Sequence, residues 1–269
     1  MTAKIVTFGI SKGGCSKSTS SGITSYLLSR NERVLAVDMD MQGNLTSLLT
    51  GEYDICNVFE KKTTLEAILE ENAEPYIINV KENLDLLPSN DYLAILPGEL
   101  MKRRMNLRAL ENALKPVMEK YDWIIIDTPP ALSEHTLMPL CVRSESGSYA
   151  VIMFDGSMFA YFAIPKFLEI VDEVNNRFNS ELRVAGILFS LIDQRAKENE
   201  PMKETIDEDY PRLRFNTIIR RKAATRRLAL DGFENNKELD SALEHYKRFV
   251  RELKDRVSKK ESRINKGQN

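Results

Sequence analysis

Residues 4–19 read Lys4-Ile5-Val6-Thr7-Phe8-Gly9-Ile10-Ser11-Lys12-Gly13-Gly14-Cys15-Ser16-Lys17-Ser18-Thr19. An apolar stretch (Ile5, Val6, Phe8) leads into a glycine pair flanked by two lysines, which predicts a buried strand, a tight loop and a helix opening near Lys17. Gly13 and Gly14 let the backbone turn its N–H groups toward anionic oxygens, and the positive end of the helix dipole falls on the same spot. In such a cradle Lys17 neutralises the outer phosphates of a nucleotide and the Ser18 hydroxyl takes a magnesium coordination position. The common spacing G-x-x-x-x-G-K-[ST] is not met, because Ser11 and Ser16 stand at both glycine positions; K-G-G-x-G-K-[ST] is met except at Ser16. A Gly/Ser-rich strand-to-helix turn with no ligand is the competing reading.

Later segments weigh against that alternative. Val34-Leu35-Ala36-Val37 reads as a short buried parallel strand, and Asp38-Met39-Asp40-Met41-Gln42-Gly43-Asn44 begins where it ends. A further strand, Trp123-Ile124-Ile125-Ile126, runs into Asp127-Thr128-Pro129-Pro130, a hydrophobic run followed by the aspartate that holds magnesium, often through water. Ligands of open α/β sheets collect at the carboxyl ends of the strands, so Asp38, Asp40 and Asp127 are expected beside the phosphate loop. The bland alternative is three strand-capping aspartates.

Together these segments resemble the ParA/Soj group of DNA-partitioning ATPases, within the deviant Walker A class that also holds MinD and the nitrogenase iron protein. The likeness covers roughly residues 4 to 250. Val34 to Thr46 resembles V-L-x-x-D-x-D-P-Q-G-N-x-T with Met41 for proline, and Asp122 to Pro130 resembles D-[YW]-x-x-x-D-x-P-P. Leu191 to Arg195 resembles L-x-D-x-R, and Phe215 to Arg221 resembles F-x-T-x-I-P-R with Arg220 for proline. The resemblance implies ATP and Mg2+ as ligands, the nucleotide lying on Lys12, Gly13, Gly14, Cys15, Ser16, Lys17, Ser18 and Thr19. Lys12 would reach across an ATP-bound sandwich homodimer to the partner subunit's phosphates, Lys17 would serve its own nucleotide, and Asp40 would position the attacking water. Ser18 would ligate the metal, with Asp38 and Asp127 supporting it and the switch regions. A side chain at Ser16 costs ~1 kcal/mol or more if φ there is positive, which implies slower turnover or altered nucleotide affinity.

The fold class expected is α/β: a doubly wound, mainly parallel sheet of the deviant Walker A type. Strands are expected at 4–9, 34–37, 83–87, 123–126, 149–154, 184–190 and 215–219, with amphipathic helices at 18–30, 106–120, 160–177 and 239–257. At 269 residues and 42% hydrophobic content the chain can bury a large core. Residues 1–253 are expected to form one domain and 254–269 a basic, flexible tail with six Lys or Arg against two acids. Neither a secretory signal nor a membrane-spanning run of about 18 apolar residues is evident, so a cytoplasmic protein is expected. Cys15, Cys56 and Cys141 are widely spaced and suggest neither a disulfide nor a metal site. Cys15 reads as a small filler or an oxidisable thiol beside the nucleotide, and His135 and His245 as surface or cap residues.

Net charge is −2, yet Arg212, Arg214, Arg220, Arg221, Lys222, Arg226 and Arg227 fall in one stretch without an acid, next to the acidic run 204–209. A solvated basic face is one reading. In the family this segment corresponds to the surface by which the ATP-bound dimer holds nonspecific DNA, which implies Arg220, Arg221, Lys222, Arg226 and Arg227 as phosphate contacts and nucleoid association. The implied cycle ends when a ParB-like centromere-binding partner stimulates slow ATP hydrolysis and DNA is released. The N-terminal helix-turn-helix of longer relatives is not expected. Two alternatives are a MinD-like membrane-cycling ATPase and another regulatory or metallo-assembly ATPase of the same fold. Past Val257 the apolar content fades, against a membrane helix, and the paired cysteines of iron–sulfur members are missing.

Overall fold

Buried apolar runs become the sheet. A computed structural model of the chain describes residues 2–9, 16–178, 180–192, 199–222, 224–225, 228, 232–233 and 237–264. Its strands are β1 (Lys4–Gly9), β2 (Val34–Asp38), β3 (Ile78–Lys81), β4 (Leu84–Leu87), β5 (Trp123–Asp127), β6 (Ser148–Phe154), β7 (Leu182–Ile192) and β8 (Arg214–Arg220). They lie in the order β3-β4-β2-β5-β1-β6-β7-β8, all paired parallel except β3 with β4. The helices are α1 (Lys17–Leu28), α2 (Asn44–Thr50), α3 (Ile55–Val58), α4 (Thr64–Leu69), α5 (Leu96–Arg103), α6 (Ala109–Leu114), α7 (Glu134–Cys141), α8 (Met158–Phe178), α9 (Asn199–Asp209) and α10 (Lys237–Ile264). The doubly wound, mainly parallel α/β fold expected from the sequence is the fold observed.

Side-chain alternation divides the core. Ile5, Leu35, Val37, Ile124 and Ile126 join one apolar cluster with α4, α5 and α6, whereas Val6, Phe8, Val34, Ala36 and Ile125 join another with α1, α2 and α10. Successive strand residues point to opposite faces, so five-residue strands buried along their whole length must be apolar at every position.

Four local features differ from the sequence reading. β3 is a short, half-exposed antiparallel edge strand with an irregularity between Asn79 and Lys81, and four residues of mixed polarity gave no periodic signal. The helix expected over 106–120 is only Ala109–Leu114, because Pro116 cannot continue an α-helix, and a short 310 turn follows at Met118–Lys120. His135 is buried rather than on the surface: its Nε2 lies 2.9 Å from the Leu93 carbonyl and its Nδ1 lies 3.3 Å from the Ser133 hydroxyl. Finally, α10 passes residue 254 without a break and Val257 is fully buried; residues 265–269 of the expected tail lie outside the described residues.

Charged side chains seal α10 against the edge of the sheet. Glu252 accepts the backbone N–H groups of Asn216 (2.8 Å) and Thr217 (3.0 Å) on β8. Arg256 donates to the carbonyls of Ala185 and Leu213, both at 3.0 Å, and of Arg212 at 3.3 Å, while its guanidinium lies 4.2 Å from the Phe215 ring centre. Replacing Arg256 by Ala strips four carbonyls, those of Ala185, Arg212, Leu213 and Arg214, of a charged donor, so urea unfolding should register a loss of about 2–3 kcal/mol. Lys247→Ala, on the outer face of the same helix, should cost under about 0.5 kcal/mol. Equal effects would contradict this account of how α10 docks.

Candidate functional site at the carboxyl ends of β1, β2 and β5

Strand register brings the acids together. Asp127 lies level with Phe8 of β1 on one side and with Asp38 of β2 on the other, so two strand-ending aspartates are adjacent across the ladder. The loop after β1, residues 10–15, lies outside the described residues, and with it Lys12, Gly13, Gly14 and Cys15. The chain re-enters at Ser16, the N-cap of α1, with φ 53° and ψ 37°. That is the left-handed region, costly for any residue with a Cβ. Helix α1 then opens at Lys17, as expected. Lys17 is buried, Ser18 faces the strand ends, and Thr19 follows in the same first turn.

The two acids after β2 are organised differently. Asp38 is inaccessible to solvent, and its Oδ1 accepts the N–H of Asp40 (3.0 Å) while its Oδ2 accepts the N–H (2.9 Å) and hydroxyl (2.8 Å) of Thr46. Thr46 in turn accepts the Ser89 N–H at 2.9 Å, so α2, the turn and the loop after β4 are fastened to one carboxylate. Asp40 is 6% exposed, and its Oδ1 accepts the Gln42 N–H at 3.0 Å. Gly43 has φ 56°, and a Cβ there would meet Ile55 Cδ1 at 2.2 Å, so any side chain in the turn behind Asp40 would be strained and would have to displace Ile55.

Asp127 presents the opposite case. It is fully buried, and neither carboxylate oxygen has a hydrogen-bond partner among the described residues. Burial pushes its pKa up to about 8, helped by the charge of Asp38 and opposed by Ser18 and Lys17. Burial also raises Asp38, to about 6, against its hydrogen bonds from Thr46 and Asp40. Such a carboxyl keeps its proton near neutral pH, and it can ionise there only with a cation beside it. Ser18, Lys17 and Asp127 converge, and that donor set fits a hard cation held by a hydroxyl, phosphate oxygens and water. Among the described residues no three His, Cys, Asp or Glu side chains form a protein-only metal cage. Asp38, with three of its lone-pair positions already used, is built to hold the turn.

The basic segment is only partly together. Arg220 and Arg221 are exposed at the end of β8 and Lys222 is half-buried, whereas Arg226 and Arg227 lie outside the described residues. Arg214 is committed elsewhere, forming two 2.8 Å bonds to Asp207 on α9. His245 on α10 is held below its ordinary pKa by burial and by Lys222, Arg220 and Arg248, a sign of positive potential there. Sequence reasoning missed Thr46, whose tie to Asp38 spans eight positions, and Thr64, whose hydroxyl donates to the Asp38 carbonyl at 2.9 Å. It also missed Ser190 and Tyr246, which meet the phosphate loop from far along the chain.

A phosphate-loop α/β protein with paired acids at the strand ends is what the fold and the site define. Residues 3–184 match the family model described as an AAA domain. The sporulation initiation inhibitor protein Soj of Bacillus subtilis is 31% identical over 222 residues, covering 81% of this chain and 84% of the relative. The chain belongs to the ParA/Soj-type ATPases of the deviant Walker A class. Among solved structures, apo McdA from Cyanothece superposes with TM-score 0.80 over 95% of this chain and 99% of that one, a likeness of fold at 22% identity. A protein of Borrelia burgdorferi B31 assigned to plasmid partition and bound to AMPPNP is 27% identical, with TM-score 0.74 over 93% of this chain and 98% of that one.

The buried acids give the ligand-free protein a definite pH response. A carboxyl whose pKa is raised on folding stabilises the fold fully below its unfolded value, near 4, and that contribution is lost as pH rises through the folded value. The pair therefore favours the folded state at acid pH and loses that contribution between about pH 4 and about pH 8. In thermal unfolding without nucleotide or metal, Asp127→Asn should flatten the fall in Tm from about pH 5 to about pH 8 by roughly 3 °C or more, the shift expected of ~1 kcal/mol in a chain of this size. An unchanged slope would mean that Asp127 is ionised in the free protein.

Proposed function

We propose that this chain is a DNA-partitioning ATPase whose ATP-bound homodimer holds nonspecific DNA and lets go after hydrolysis stimulated by a ParB-like centromere-binding partner. The observation that carries the nucleotide part is the buried carboxyl of Asp127, with neither oxygen hydrogen-bonded among the described residues, beside Lys17 and Ser18 at the opening of α1. In this reading ATP lies on Lys12, Gly13, Gly14, Cys15, Ser16, Lys17, Ser18 and Thr19, and Ser18 with Asp127 holds the magnesium shell. Magnesium supplies charge neutralisation on the β- and γ-phosphates. Lys17 does the same from the protein side, Asp38 fixes the turn that carries Asp40, and Asp40 orients the attacking water with the oxygen that Gln42 does not occupy. Lys12 serves the partner subunit's nucleotide.

The DNA part is supported by the family and by the basic cluster at the end of β8. Arg220 and Arg221 are exposed and available to phosphates, with Lys222 beside them; Arg226 and Arg227 extend the stretch in sequence. With net charge −2 the molecule needs its positive residues gathered, and pairing two copies would double the patch. No helix among the described residues is long and apolar enough to cross a membrane.

Fluorescence anisotropy on random duplex DNA tests the switch. With ATP, neutralising about four phosphates predicts a roughly 100-fold loss of affinity between about 50 and about 200 mM salt, with little dependence on base sequence. Arg221→Glu should weaken binding and flatten the salt slope. Equal binding with ATP and ADP would remove the nucleotide switch, and undiminished binding by Arg221→Glu would move the DNA surface elsewhere.

A further inference from the structure

Ser16 stands where the family's loop carries glycine, and it adopts the backbone angles that glycine would. Left-handed backbone costs a residue with a side chain on the order of 1 kcal/mol. The same side chain makes contacts that glycine cannot. Its Oγ shares a 2.7 Å hydrogen bond with Oγ of Ser190, a fully buried residue of β7. The phenol oxygen of Tyr246 on α10 lies close to it. That phenol, on a ring 1% exposed, shares a further hydrogen bond of 3.3 Å with Ser20 of α1. The opening of α1 is thereby joined to β7 through Ser16 and to α10 through Ser20, with the Ser190 and Tyr246 partners buried.

We propose that Ser16 is a positioning residue: with Ser190 and Tyr246 it forms a latch that holds the phosphate loop in its left-handed turn and couples nucleotide occupancy to the seating of α10. The proposal rests on the reading of residues 11–19 as a nucleotide site. Its physical content is an exchange. Strain at Ser16 is offset by its bond to β7, with Tyr246 of α10 packed beside it and bonded to Ser20 one turn further along α1, so loosening either element frees Ser16 to leave the left-handed region. The residue before Tyr246 on α10, His245, accepts the backbone N–H of Arg220 on its Nδ1 at 3.5 Å. One helical turn therefore meets the phosphate loop through one side chain and the basic end of β8 through its neighbour.

The test is a double-mutant cycle on full-length protein. Tyr246→Phe keeps the buried ring and deletes only the hydroxyl, and Ser16→Gly removes both the strain and the hydroxyl. In the wild-type background Tyr246→Phe should weaken ATP binding in the presence of magnesium about fivefold, equivalent to ~1 kcal/mol. Measured against the Ser16→Gly protein, the same substitution should change affinity by less than about twofold, the limit of ordinary additivity. Ser190→Ala should follow the same pattern. A fivefold loss in both backgrounds would mean that Tyr246 acts without Ser16, and no loss in either would mean that the hydroxyls merely satisfy one another; both overturn the latch. If wild-type protein bound no nucleotide, the reading of the loop would fall, and urea unfolding of the same proteins would decide the latch separately. Non-additive effects of Ser16→Gly and Tyr246→Phe would keep the latch, and additive effects would remove it.

Discussion

Two carboxylates, Asp38 and Asp127, end adjacent parallel strands at the same level, and neither reaches water. Like charges so placed cannot both ionise in an apolar core without help. The fold supplies that help unequally. Asp38 receives three hydrogen bonds and becomes the post to which α2, the Asp40 turn and the loop after β4 are tied. Asp127 receives none among the described residues and keeps its proton, or waits for a cation. Full ionisation of the pair therefore requires added positive charge at the strand ends. In the proposed reading, a magnesium nucleotide at Lys17 and Ser18 would supply that charge at the opening of α1.

A second constraint is mechanical. Left-handed Ser16 begins α1, and the same residue is bonded across the molecule to β7 and faces α10. Helix α10 is in turn fastened to β7 and β8 by Arg256 and Glu252, and its His245, beside Tyr246, accepts the Arg220 N–H. Strain in the loop is consequently shared with the half of the sheet that carries the basic segment. Site and surface belong to one packed unit, which is the physical requirement for one to respond to the other.

Much of this was legible in the sequence, for identifiable reasons. β1, β2, β4, β5, β6 and β7 were readable because parallel strands buried on both faces appear as largely apolar runs, and Asp38 and Asp127 followed two of those runs directly; edge strand β8, with Phe215, Ile218 and Ile219 among polar residues, gave a weaker signal. The opening of α1 at Lys17 was readable from the loop motif. β3 was not, since a half-exposed edge strand need not be apolar. Helix α4 carried a usable signal that went unread, the capping box of Thr63 and Glu66. The unequal bonding of Asp38 and Asp127 could not be read, because both look alike in sequence and differ only in what the fold brings to them. The meeting of Ser16 with Ser190 and Tyr246 likewise exists only in three dimensions, Ser190 lying 174 positions away.

The claim at the centre of this account is that the strand-end carboxylate of Asp127 needs a magnesium nucleotide. Calorimetric titration of ATP into the purified protein, with and without magnesium, tests it directly when Asp127→Asn is measured alongside. The account predicts one nucleotide per chain, binding at least about tenfold weaker without magnesium, and loss of most of that magnesium dependence in Asp127→Asn. Affinity that is indifferent to magnesium in the wild type, or a magnesium dependence left intact by Asp127→Asn, would contradict it.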